Sequence, residues 1–225
     1  MQKNNILTYL YIALIFIGTA HVYYNRTTPA AALPVHKKHI VLDAGHGGFD
    51  PGKVAENGTE EKAINLEIMR LLQGYLEQSG AVVTVTRSED EALANRKNAD
   101  LKSRLLIVKD SSPDLFVSIH QNSYPSPEVR GAQVFYYKNS ESGKRLAANI
   151  QQRLKKSAIA ENKRIEKPNG SYYILKNSKV PSVIVECGFL SNPPENAALN
   201  TPEYQKRTAW AIYMGITDYF SDSDV

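Results

Sequence analysis

Three short apolar runs in this 225-residue chain each lead into a side chain able to bind a metal or move a proton. "HIVLD" is followed by Ala44, Gly45 and His46; "LFVSI" runs into His120; "PSVIV" runs into Glu186. Two imidazoles suit zinc, and a catalytic zinc site commonly takes three protein ligands and leaves one position open. The third ligand is offered by Glu60 or Glu61 in "NGTEEKAINL". Asn57 with Glu60 three residues later reads as a capping box, which leaves Glu61 to face the site.

Glu186 ends the most apolar strand expected in the domain that follows the N-terminal segment. Burying a carboxylate without a partner is costly, so two readings stand: an ion pair with an arginine, or a general base whose pKa burial raises. Successive strand residues face opposite ways, so Cys187 then points away from the site and reads as a small core residue. Asn122, two residues beyond His120, is placed to sit beside it. The glycines around His46 admit positive φ and close approach. They do not form a phosphate cradle, because "GHGGFDPG" has neither the G-x-G-x-x-G spacing nor a Walker lysine, and Asp50-Pro51 falls where the helix should begin.

The elements that must carry these residues alternate. Strands are expected at "HIVLD", "AVVTVT", "DLFVSI", "AQVFYY", "SYYIL" and "PSVIVE". Helices are expected over Glu60–Ser79, Asp100–Lys109, Ser142–Lys156 and Pro202–Phe220. In the first of these Ile64, Ile68, Leu71, Leu72 and Tyr75 share a face, and Gly80 stops it. The pattern predicts an α/β fold: a single, mostly parallel twisted sheet flanked by helices on both faces. Ligands gather at the carboxyl ends of strands in such sheets, where His46, His120 and Glu186 fall.

The N-terminus is different. Ile6 to Tyr24 carries no formal charge, long enough for a membrane-crossing helix of roughly 20 residues. The alternative is a cleaved signal peptide with Ala30-Ala31-Ala32 as the cleavage site. Either way the remainder is exported, which divides the chain into an anchor or signal with linker (1–36) and a catalytic domain (37–222). One cysteine precludes an internal disulfide, and scattered charge with a net +4 argues against a nucleic-acid surface.

Five segments together, "IVLDAGHGGFDPG", "GTEEKAINL", "VTRSED", "LFVSIHQNS" and "VIVECGFLSNPPE", resemble the zinc-dependent N-acetylmuramoyl-L-alanine amidases, and the likeness runs from Lys38 to Phe220. The resemblance implies zinc held by His46, Glu61 and His120, with Glu186 as the catalytic glutamate. It implies hydrolysis of the amide between N-acetylmuramic acid and L-Ala of peptidoglycan. "NRKNADLKSRLLIV" and "SYYILKNSKVPSVIVECGFLSN", with the N-terminal apolar segment, are most similar to the germination-specific branch. That branch implies a role in the spore cortex, where stem-peptide removal precedes muramic-δ-lactam formation, and an activating lipoprotein partner. Ala44 stands where the family more often has proline. Arg87, Arg96 and Arg104 are candidates to grip acidic peptide, or else to form structural ion pairs, the reading favoured here. The rival functions are a zinc peptidase cutting within the stem peptide and a non-catalytic wall-binding or regulatory module; the second predicts loss of a ligand or base, and all four are present.

Overall fold

The computed structural model describes residues 33–157 and 162–222. The apolar segment Ile6–Tyr24 lies outside these, and among the described residues no helix is long and apolar enough to cross a membrane. Six strands form one sheet in the order β2-β1-β3-β6-β4-β5, from β1 (His39–Ala44), β2 (Val82–Val85), β3 (Leu115–Asn122), β4 (Gln133–Tyr137), β5 (Lys167–Asn169) and β6 (Ser182–Phe189). The helices are α1 (Glu61–Gln78), α2 (Lys97–Ser111), α3 (Glu141–Ser157), α4 (Tyr173–Asn177), α5 (Pro193–Leu199) and α6 (Pro202–Ser221).

The sheet is mixed rather than mostly parallel. β2, β1, β3 and β6 run together, but β4 pairs β6 antiparallel and carries β5 with it. Sequence order alone does not reveal this reversal, because an apolar run reads alike in either direction.

Alternation along the strands builds two unequal cores. Ile40 and Leu42 of β1 face the larger one, with Ile64, Ile68 and Leu72 of α1, Leu146 and Ile150 of α3, and Ile212 and Ile216 of α6. Leu71 and Tyr75 pack against its margin, as the helical pattern predicts. Val41 and Phe116 point to the other face, where Val108 of α2 and Ile174 and Leu175 of α4 cover them. Helices therefore flank both faces.

Three local expectations are corrected. "SYYIL" is not a strand: Tyr173–Asn177 is helix, and the neighbouring strand is Lys167–Asn169. A short apolar run suits either state; here Asn169 Oδ1 accepts from the backbone N–H groups of Ser171 (2.8 Å) and Tyr172 (2.7 Å), turning the chain into a helix that buries Ile174 and Leu175. The capping box is also absent. Glu60 is itself the N-cap and makes no side-chain cap, while Asn57 Oδ1 accepts from Thr59 N at 3.2 Å. The reason is that Val54 and Glu60 pair as an extended bridge, which delays the helix to Glu61. Finally, α5 has no counterpart in the expected elements, although Asn192 capping Glu195 N at 3.0 Å with proline at the helix start is a legible signal.

Candidate metal centre and active site

His46, His120 and Glu186 converge at the carboxyl edge of the sheet. His46 follows β1, whereas His120 and Glu186 lie in the carboxyl-terminal halves of β3 and β6, which run on to Asn122 and Phe189, and are register partners across the parallel pair. Glu61, the first residue of α1, completes the group. Among the described residues, His46, Glu61 and His120 bring three ligand atoms within 4.8 Å of one another. His120 Nδ1 lies 2.9 Å from Glu61 Oε1, and His46 Nε2 lies 3.3 Å from Glu61 Oε2. The two imidazoles meet edge to face with centroids 5.0 Å apart.

The glycines make this convergence sterically feasible. A Cβ on Gly45 would stand 2.2 Å from the His120 ring, and one on Gly52 would stand 2.6 Å from Glu61 Oε2. The loop is also bent hard: His46 itself has φ of +63°, a conformation that costs a non-glycine residue roughly 1 kcal/mol or more.

Two buried arginines hold that bend. Arg87 donates to the carbonyls of Ala44 (2.8 Å) and Gly45 (3.1 Å), and Arg104 to those of Ala44 (2.7 Å) and His46 (2.7 Å). Asn65 Nδ2 adds a bond to Gly45 O at 3.0 Å. Arg104 also ion-pairs Asp43 and Asp100. Asp43 in turn accepts from Thr86 Oγ1 and Ser118 Oγ; burial opposes its charge, but Arg104 and these hydroxyls outweigh it and hold its pKa down at about 2. Both arginines are thus spent within the framework, Arg87 on backbone carbonyls and Arg104 on carbonyls and two buried acids. Arg96 is exposed at the start of α2, and Asn122 Oδ1 accepts from Ser123 N at 2.8 Å.

Several supporting groups escape a motif-based reading. Asp50 Oδ2 accepts from His46 Nδ1 at 2.8 Å, and its other oxygen pairs with Lys97 at 2.8 Å. Burial raises the Asp50 carboxyl, but Lys97 and His46 prevail and bring it to about 2. A carboxylate on the far nitrogen of a ligating histidine fixes its tautomer and ring; the i, i+4 spacing from His46 to Asp50 is the signal that could reveal it. Glu61 is held at its other edges by Lys53 N (2.9 Å) and Gln121 N (3.0 Å). Its burial favours the acid, yet His120 and His46 keep it far below the usual carboxylate range. His120 responds in kind: burial lowers its pKa, but Glu61 beside it raises it to about 9. The charge on Glu61 that draws a proton to His120 equally draws a cation, and the two compete for the imidazole.

Glu186 stands apart. It is 8% exposed, and its Oε2 is buried with no hydrogen-bond partner in the protein. No arginine pairs with it among the described residues, so of the two readings the ion pair is excluded. Burial is the largest influence and pushes its pKa up to about 7, with Glu61 adding and His120 opposing. Cys187 faces the other way, fully buried in the larger core, where burial drives its thiol far above the reactive range.

The family model for N-acetylmuramoyl-L-alanine amidase matches residues 40–218. The chain belongs to that family. It is 35% identical over 220 residues to the germination-specific N-acetylmuramoyl-L-alanine amidase of Bacillus subtilis, an alignment covering 94% of this chain and 92% of the relative. Among solved structures it is similar to the CwlD amidase of Clostridioides difficile, determined in complex with the GerS lipoprotein, at TM-score 0.79 and 42% identity over 83% of this chain and all of that one. The catalytic domain of the amidase CwlV from Bacillus (Paenibacillus) polymyxa matches at TM-score 0.73 and 30% identity, covering 82% of this chain and 98% of that one. The His46–Glu61–His120 cluster of this amidase could hold a metal ion.

Proposed function

We propose that this amidase hydrolyses the bond between the lactyl carbonyl of N-acetylmuramic acid and L-Ala in peptidoglycan, using zinc held by His46, Glu61 and His120. The donor set supports zinc: two imidazoles and one carboxylate at one rim, with a carboxylate on the far nitrogen of His46, match a catalytic site that keeps a position open. Bound there, zinc supplies Lewis acidity to a water molecule and to the scissile carbonyl. Glu186 accepts the water proton as the new C–O bond forms. It returns that proton to the alanyl nitrogen as the C–N bond breaks, leaving a lactyl carboxylate and a free peptide amine. Asp50 keeps the His46 ring in its ligating tautomer, and Arg87 and Arg104 keep its backbone in place.

The observation that carries this reading is the unpartnered, buried carboxylate of Glu186 beside the three-donor cluster. A fold retained only for binding has no use for an orphaned charge of that kind. The test is mass spectrometry of digested peptidoglycan with the zinc-loaded protein. Release of intact peptides beginning at L-Ala is expected; fragments beginning at a later residue indicate cleavage within the stem peptide and overturn the assignment.

The likeness to the germination-specific relative supports a place in spore cortex maturation, where the liberated lactyl carboxylate is the precursor of muramic-δ-lactam. Spores of a deletion strain should lack that lactam. The likeness to the lipoprotein-bound CwlD amidase supports a lipoprotein partner outside the cytoplasmic membrane. Such a location agrees with the apolar Ile6–Tyr24 segment acting as anchor or export signal, which N-terminal sequencing of the mature protein decides.

A further inference from the structure

The helical layer formed by α1 and α6 carries an aromatic patch on its outer side. Trp210, the one tryptophan of the chain, is 50% exposed on α6. It meets Tyr75 of α1 edge to face, with centroids 5.3 Å apart, and Tyr213 at 5.0 Å. Tyr75 and Met214, one turn beyond Trp210, are only partly buried, and Lys206, one turn before it, is exposed. Gly74, immediately before Tyr75, leaves a bare flank: among the described residues no atom lies within 4 Å of where its Cβ would stand. Glycine weakens a helix interior, and no packing within the domain calls for it there.

The patch adjoins the point at which the chain enters the domain. Leu33, the first described residue, is 48% exposed. Lys37 N donates to Gly80 O at 2.8 Å, and the His36 ring lies against Gly80, where a Cβ would stand 2.4 Å from its Nδ1. Next to Gly80, Ser79 Oγ bonds the Tyr213 hydroxyl at 2.8 Å, and the Tyr213 ring packs on Trp210. Entry point and patch are thus joined through the two residues that follow α1. In the sequence only eight residues, 25–32, separate Leu33 from the apolar segment that ends at Tyr24. Fully extended, they span about 30 Å.

We infer that this patch is a docking face for the phospholipid surface of the membrane, with Trp210 and Tyr75 seated among the headgroups. The inference rests on Ile6–Tyr24 acting as a retained anchor and is independent of the amidase chemistry. A tether that short holds the domain close to the bilayer. Tryptophan and tyrosine favour that interface, because each has an apolar ring and a polar edge. The position also suits catalysis. His120 and Glu186 project from the face of the sheet that carries Ile184 and is covered by α2 and α4, whereas α1 and α6 cover the other face. Docking through Trp210 therefore leaves the metal cluster open on the side away from lipid, where peptidoglycan lies.

The experiment reconstitutes the full chain into vesicles of phosphatidylethanolamine and phosphatidylglycerol, with and without brominated acyl chains, and reads the fluorescence of Trp210. Brominated lipid should quench it. Quenching by aqueous iodide should be several-fold weaker than in a Trp210→Phe, Tyr124→Trp variant, which moves the tryptophan to a site that is 55% exposed just beyond β3. In that variant brominated lipid should have no effect; should it fail to fold, the readings on Trp210 decide alone. Flotation with the vesicles checks the anchor. A chain that floats while Trp210 stays open to iodide and unquenched by lipid overturns the docking face and leaves the anchor standing. Trp210 shielded from iodide yet unquenched by lipid is covered by protein, a second copy where crosslinking traps a dimer, and this overturns the inference equally. A chain that does not float overturns the anchor and the docking face together, while the amidase reaction stands.

Discussion

Two buried carboxylates on the strands either side of β3 have opposite fates. Asp43 is 2% exposed and meets Arg104, Thr86 and Ser118; Glu186 is 8% exposed and one of its oxygens meets no partner at all. The same physical cost of burial thus yields pKa values near 2 and near 7. A charge that is matched stabilises a shape, here the bent backbone of residues 44–46 that presents His46. A charge left unmatched is available to take a proton. The fold keeps the two apart by supplying its buried arginines to the β1 side alone.

That contrast can be broken at either end. The largest effect is expected on activity from Glu186→Gln, which keeps shape and removes the base: amidase turnover should fall by up to about 10⁴-fold. The same change should not lower stability. A carboxyl whose folded pKa stands above its unfolded value binds more protons when folded, so it favours folding below about 4.5 and ceases to as pH rises towards about 7. In chelator-treated protein at pH 8, the glutamine variant should therefore melt higher than wild type. A lower melting temperature would show that Glu186 is a structural group.

Arg104→Leu should act in the reverse sense, costing stability first. It strands Asp43 and Asp100 and frees the carbonyls of Ala44 and His46, for which a loss of about 3–5 kcal/mol is expected from removing one partner of a buried pair. Urea unfolding measures it, and a change within experimental error would deny the cluster its framework role. The acid limb of wild-type stability sharpens the same point. Because its folded pKa is depressed, Asp43 contributes stability that is fully present above about 3.8 and is lost as pH falls through about 2; the amount is about 2 kcal/mol. Asp43→Asn should flatten that limb.

The smallest effect belongs to Asp50→Asn, which leaves the three ligand side chains in place. Loss of the carboxylate behind His46 should weaken zinc binding by at least about tenfold, measured by competition with a chelating dye. Unchanged affinity would mean that the His46–Asp50 bond does not orient the ring.

Much of the site is legible without coordinates. His46, His120 and Glu186 are visible because each terminates an apolar run, and strand ends are where an α/β sheet exposes side chains. Glu61 is found correctly beside the cluster, although by way of a capping box that does not form. Asp50, Asn65 and Gln121 are missed: the i, i+4 spacing of Asp50 from His46 gains meaning only once the turn is known, and Asn65 and Gln121 brace groups far along the chain. The arginines show the converse: a guanidinium in a sequence looks alike whether it will bind substrate or backbone.

Residue type and order therefore determine the α/β alternation, the donor set and the family, since apolar periodicity and local motifs are properties of the chain itself. Only the tertiary structure decides which buried carboxylate is paired and which is left alone, that β4 and β5 run against the other four strands, and that "SYYIL" coils to wall a cavity next to Glu186. Each of these depends on contacts between residues tens of positions apart, whose partners, burial and local dielectric exist only once the sheet has closed around them.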